Sequence, residues 1–135
     1  MLAYLWVAIG GALGSAGRYW LSGVVAGMAE RHGSVFPWNT LVVNVSGSLV
    51  IGFLAAFADP GGRRAIGPAG RQLLMYGVCG GYTTFSSFSL QTLELIRGGD
   101  WFKASANAAA SVVLCLVAVW VGYVVGAAFN GGKGN

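Results

Sequence analysis

Four apolar stretches constrain this chain more than any other feature. They run roughly Leu2–Ala29, Trp38–Ala58, Gln72–Ile96 and Phe102–Phe129. Each supplies the ~20 residues a helix needs to cross a hydrocarbon core. The linkers between them, Glu30–Pro37, Asp59–Arg71 and Arg97–Trp101, are short. Only 9% of the 135 residues are charged and 56% are hydrophobic, whereas a soluble domain carries about 25% charged residues. A soluble fold of this length cannot hide so much apolar surface. The expected fold class is therefore all-α: an integral membrane protein with four transmembrane helices, forming a single domain over 1–135.

Local signals agree with this division. Met1–Trp6 lacks the basic start of a cleavable signal peptide, and the apolar run that follows is too long for one. It reads as a retained first span. Asp59-Pro60-Gly61-Gly62 ends the second helix, because proline and paired glycine both oppose its continuation. Asn130–Asn135 reads as a glycine-rich, mobile tail. Tyr4, Trp6, Tyr19, Trp20, Phe36, Trp38, Trp101 and Phe102 cluster near the ends of the spans, where an aromatic belt meets the lipid headgroups. Gly10, Gly14 and Gly17 share one face of the first span. Gly23 with Gly27 and Gly122 with Gly126 repeat the small-xxx-small spacing of close helix packing.

The third stretch is the exception. It contains Gly80-Gly81-Tyr82-Thr83-Thr84-Phe85-Ser86-Ser87-Phe88-Ser89 near mid-membrane. A glycine pair and a dense hydroxyl run are poor material for a lipid-facing helix. Non-helical backbone at that depth is tolerated only where protein or a water-filled path covers it. The third helix is thus expected to break at mid-membrane. Carbonyls freed around Gly80–Thr83 suit a hard cation, and with no carboxylate nearby a monovalent ion fits better than calcium.

Polar residues on the other spans point the same way. Thr40, Asn44, Gly47 and Ser48 fall on one face of the second helix. Asn44 either glues helices by hydrogen bonding or donates its NH2 group to a passing anion. Asn107 and Ser111 stand four apart on the fourth span. Phe85 and Phe88 stand three apart beside the break. They either pack or present positive ring edges to an anion.

The charges leave topology open. The formal charge is +4 and the pI about 9.4. With four spans, one side carries Arg63, Arg64, Arg71 and Lys133, and the other Arg31, Arg97 and Lys103 with Arg18 near the same surface. Loop charge normally sets orientation. So even a balance means either a weak bias or a chain that inserts both ways and pairs antiparallel. The basic residues are scattered, which excludes a nucleic-acid surface.

Catalytic signals are missing from the sequence. Cys79 and Cys115 lie in apolar stretches without metal-ligand spacing, and His32 is the only histidine. No phosphate-binding loop or carboxylate pair is present, so the chain does not read as an enzyme. The first span has no central acidic residue, which counts against a proton-coupled multidrug antiporter of similar size.

Together, Gly10-Gly11-Ala12-Leu13-Gly14 with Arg18, Trp38-Asn39-Thr40-Leu41-Val42-Val43-Asn44 with Gly47, and above all the run at 80–89 resemble the bacterial fluoride channels called Fluc or CrcB. The resemblance covers nearly the whole chain. It implies a dual-topology, antiparallel homodimer in the bacterial cytoplasmic (inner) membrane, with two fluoride pathways. It implies a structural sodium ion at the dimer centre, held by the backbone carbonyls of Gly80 and Thr83. It implies that Phe85 and Phe88 line the fluoride path and that Asn44 donates to the anion. Thr40, Ser87 and Ser111 match polar positions along that path, and Arg18 matches a basic residue near its entrance. Three residues depart from the family pattern. Asn39 stands where glycine is frequent, Gln91 where glutamate is common, and Asn107 where tyrosine is common. The expected function is passive fluoride export that lowers cytoplasmic fluoride. A fluoride/proton antiporter and a non-conducting scaffold subunit are the alternatives. The implied partners are fluoride, sodium, the lipid bilayer and a second copy of the chain.

Overall fold

A computed structural model describes residues 1–58 and 64–131. The expected Asp59–Gly62 turn, Arg63 and Lys133 from the loop charges, and the tail beyond Gly131 lie outside the described residues. The described chain is helical: α1 (Leu2–Arg31), α2 (Trp38–Ala58), α3 (Pro68–Gly70), a π-helical segment (Arg71–Cys79), α4 (Gly80–Tyr82), α5 (Phe85–Arg97) and α6 (Trp101–Asn130).

The boundaries follow local chemistry. Pro37 precedes α2, and Pro68 opens α3 at a position where its missing N–H costs nothing. Asp100 caps α6 by accepting the Lys103 backbone N–H at 3.2 Å. Gly131 ends α6 in the left-handed conformation with φ 65°, which glycine adopts without steric penalty. Two helices, α2 and α6, are long and apolar enough to cross a membrane. In α1, glycines and Arg18 dilute the hydropathy, and the third stretch is divided among shorter elements.

Two close seams organise the bundle. The most extensive pairs α2 with α6, and the next pairs α1 with the π segment and α4. Glycine permits both. A Cβ on Gly52 would strike the Val119 carbonyl oxygen, and one on Gly122 the Leu49 carbonyl oxygen. A Cβ on Gly77 would lie 2.8 Å from Gly10 Cα, and one on Gly81 2.5 Å from the Gly11 carbonyl oxygen. Backbones therefore meet with no side chain between them. Val43, Leu41, Ala56, Ala104 and Ala118 fill the α2–α6 core. Gly23 and Gly27 do not take part, because a side chain at either would meet only open space.

The third stretch differs from a glycine-centred break. Gly80, Gly81 and Tyr82 are helical, and the extended residues are Thr83 (φ −80°, ψ 157°) and Thr84 (φ −150°, ψ 114°). The glycine pair serves close approach to α1, and the interruption falls just after it. At the far end, buried Asn130 accepts the Arg64 backbone N–H at 2.7 Å and donates to the Ala56 carbonyl at 3.0 Å. This clasp ties the end of α6 to the end of α2 and to the loop beyond.

Candidate functional site

The centre of the site is Thr84, only 8% exposed. Its backbone is bound on both sides by one side chain. The Thr84 N–H donates to Asn44 Oδ1 at 2.8 Å, and Asn44 Nδ2 donates to the Thr84 carbonyl at 3.0 Å. In a continuing helix that N–H would bond the Gly80 carbonyl. Asn44 diverts it, so the Gly80 carbonyl is released from its helical bond. Just before, the Thr83 N–H and hydroxyl both donate to the Cys79 carbonyl, at 3.0 and 2.9 Å.

The Thr84 side chain starts the next helix. Its Oγ1 accepts the Ser87 backbone N–H at 3.2 Å, an N-cap for α5. The hydroxyl also donates to Ser87 Oγ at 3.1 Å and shares a 3.2 Å bond with Ser86 Oγ. The positive end of α5 therefore opens into a cluster of hydroxyls.

Two cavities meet at Thr84. One, of about 460 Å³, is lined by Asn44, Gly80, Thr83, Thr84, Phe85, Phe88 and Ser111, among other residues. The other, of about 360 Å³, holds Arg18, Thr40, Thr84, Ser87, Asn39 and Gln91, with Ser15, Tyr19 and Ser22, and has no carboxylate in its lining. All nine expected site residues therefore fall on one or other cavity: Asn44, Phe85, Phe88, Ser111, Gly80 and Thr83 on the first, and Arg18, Thr40 and Ser87 on the second. Thr84 walls both and was absent from the expected set. A threonine directly before a helix start is an N-cap signal, so it was legible as a cap, although not as a partition.

Other placements refine the expectation. The Phe85 and Phe88 rings lie 5.3 Å apart, tilted by 47°, and Phe85 is 78% exposed. α5 has no buried residue at all. Asn107 is fully buried and donates to Thr92 Oγ1 at 2.9 Å, joining α6 to α5. It lines neither cavity, so the Asn107–Ser111 pair divides into a packing residue and a cavity residue. Ser46 and Tyr82 share a 2.8 Å hydroxyl bond that joins α2 to α4 beside Gly47.

The arrangement offers neutral and cationic donors to a small anion on one side of Thr84. On the other side it offers carbonyl oxygens beside aromatic rings. Among the described residues no His, Cys, Asp and Glu group is placed to hold a transition metal.

Comparison with known proteins is consistent along the chain. A model of the family described as CrcB-like protein, Camphor Resistance (CrcB) matches residues 5–123. A protein of Opitutus terrae named fluoride-specific ion channel FluC is 56% identical over 135 residues, covering all of both chains. Proteins of the same name from Methylocella silvestris and Rhodospirillum rubrum are 53% and 56% identical over 131 residues, covering 97% of this chain and 98% and 99% of theirs. With matches of that extent and identity, this chain belongs to the CrcB family.

Proposed function

We propose that this chain is a fluoride-specific channel of the bacterial cell membrane, passing fluoride down its electrochemical gradient and so lowering fluoride in the cytoplasm. The observation that carries the reading is the junction at Thr84, where a cavity holding Arg18 and neutral hydroxyl and amide donors meets one lined by Asn44, Phe85, Phe88 and Ser111. Fluoride is small and strongly hydrated, so a path must replace its water with donors. Arg18 draws the anion in, and Thr40 and Ser87 supply hydroxyls. Asn44 uses one Nδ2 hydrogen on Thr84 and keeps its second for the ion. Phe85 and Phe88 then present ring edges, which carry partial positive charge. None of these groups binds so deeply as to trap the ion, and none performs covalent chemistry.

The working unit in this reading is an antiparallel homodimer of dual topology. Its support is the incomplete wall of the site: α5 buries no residue, and Phe85 projects from the cavity edge. A second copy would cover that face. The same pairing suits a structural sodium ion. The Gly80 carbonyl is freed by the diverted Thr84 N–H, the Thr83 carbonyl lies in extended backbone beside it, and both residues line one cavity. Two carbonyls from each of two chains give the all-oxygen set a hard monovalent cation prefers. The ion's contribution is to hold the two interruptions together.

Purified protein in liposomes, with efflux followed by a fluoride electrode, tests the reading. Fast fluoride efflux that excludes chloride and ignores an imposed pH gradient is expected. Strict coupling to protons would make the protein an antiporter, and silence from folded, sodium-loaded protein would leave a scaffold. A single cysteine placed in the loop before α2 should label from both sides of the membrane, and labelling from one side alone would refute dual topology.

A further inference from the structure

The side-chain oxygen Oε1 of Gln91 is buried and accepts no hydrogen bond from the described residues. An unpaired buried acceptor costs about 1–3 kcal/mol, so a native structure that retains one calls for a missing donor. Gln91 lies on α5 one turn beyond Ser87. It lines the 360 Å³ cavity with Arg18 and also a separate groove of about 450 Å³ that opens beside Phe36, Trp38, Glu30 and Glu94. One other residue lines both spaces, and it too is a primary amide, Asn39 near the start of α2. The two amides thus stand together where the outer groove meets the Arg18 cavity.

We propose that Asn39 and Gln91 form an amide throat that takes up fluoride while the ion still carries water, upstream of Thr84. This rests on the channel reading. A primary amide suits a hydrated anion because it is two-faced: its NH2 donates to the ion and its oxygen accepts from a water of the ion's shell. A rotation of the Gln91 amide that turns its buried, unpartnered Oε1 toward the cavity supplies that acceptor and ends its isolation. The pair is uncharged, so it exchanges shell water for protein donors without a deep electrostatic well. Glu30 and Glu94 at the outer groove are exposed, and Asp100 is paired with Lys103. Solvent and salt therefore screen their repulsion of the incoming anion.

The test measures fluoride flux against fluoride concentration for the wild type, Asn39→Ala, Gln91→Met and the double variant in liposomes. A hydrogen bond to an ion is worth about ten-fold in affinity. Gln91→Met should therefore raise the half-saturating fluoride concentration by about ten-fold while leaving the maximal flux within about two-fold. The double variant should fall short of the product of the single effects, because both amides serve one ion. Gln91→Met should melt no lower than the wild type in fluoride-free buffer, since it removes an unpaired buried oxygen. A conducting wild type with an unchanged half-saturation in both single variants would overturn the throat alone. So would a loss confined to maximal flux, or a variant that melts lower without fluoride. A silent wild type would overturn the channel reading itself, and the throat with it.

Discussion

Replacing Asn44 by alanine should both weaken the fold and close the interruption in the third helix. The amide is the sole bridge between α2 and the Thr84 peptide among the described residues, accepting at 2.8 Å and donating at 3.0 Å. Thr84 is only 8% exposed and both bonds are part-buried, so water replaces them poorly. Each orphaned backbone group costs about 1–3 kcal/mol, giving about 2–6 kcal/mol if the backbone stays where it is. Relaxation lowers the cost. The Thr84 N–H can return to the Gly80 carbonyl as the helix rewinds, recovering one bond and leaving about 1–3 kcal/mol. That rewinding occupies the carbonyl proposed to hold sodium, so any sodium dependence of the wild-type melting temperature should be lost. Asn44→Asp keeps the acceptor but turns the donor into a second acceptor facing the Thr84 carbonyl, and should cost at least as much as alanine. Thermal unfolding in detergent, followed by tryptophan fluorescence with sodium and with a large organic cation in its place, reads both effects. An Asn44→Ala protein that melts with the wild type in both media would show that the amide does not hold the interruption open.

Three further outcomes follow from the geometry. Phe85→Ile and Phe88→Ile should each slow fluoride efflux several-fold while the protein stays folded, because Phe85 is exposed and the ring pair contributes only about 0.5–1.5 kcal/mol; unchanged efflux in both would remove the rings from the path. Gly52→Ala should destabilise the α2–α6 seam by about 1–3 kcal/mol or more through overpacking, whereas Gly23→Ala, with open space around it, should be neutral or slightly stabilising in the same melt. The Lys103 side chain beside Asp100, with the backbone N–H of Lys103, holds the Asp100 carboxyl below its ordinary 3.8. A depressed carboxyl stabilises the fold above its unfolded pKa and loses that contribution as pH falls through the folded value. Any stability change from the Asp100–Lys103 pair should therefore be confined to pH below about 4, and Asp100→Asn, which keeps the cap, should flatten it in an acid titration of the unfolding midpoint.

Much of the fold is legible in the sequence because lipid leaves few options. The second span ends at Trp38 and Ala58 as hydropathy and its prolines indicate, and α6 extends the expected fourth span by one residue at each end. The third stretch resists that reading. Hydropathy places a disturbance at the glycine pair, yet the extended residues are Thr83 and Thr84, because the deciding contact comes from Asn44, forty positions away. The π winding of Arg71–Cys79 leaves no pattern in the residues that a periodicity rule detects. Of the two roles the sequence left open for Asn44, the contacts display the packing one, since its oxygen and one hydrogen fix the Thr84 backbone, while its second hydrogen is left for the donation proposed above. The resemblance supplies candidate site residues; their division between two cavities is not legible in the sequence, because it depends on where Thr84 stands.

The α2–α6 seam also fixes an order of events during biosynthesis. α6 ends at Asn130, roughly 70 residues after α2 is complete, which at the usual pace of synthesis is about 4–14 s. Through that interval α2 waits in the bilayer without its main partner, its glycines bare and its Asn44 amide unsatisfied until Thr84 follows. The helix that anchors the finished bundle is thus the one left longest exposed while the protein is being made, and the nascent chain is most open to capture or degradation before its last helix arrives.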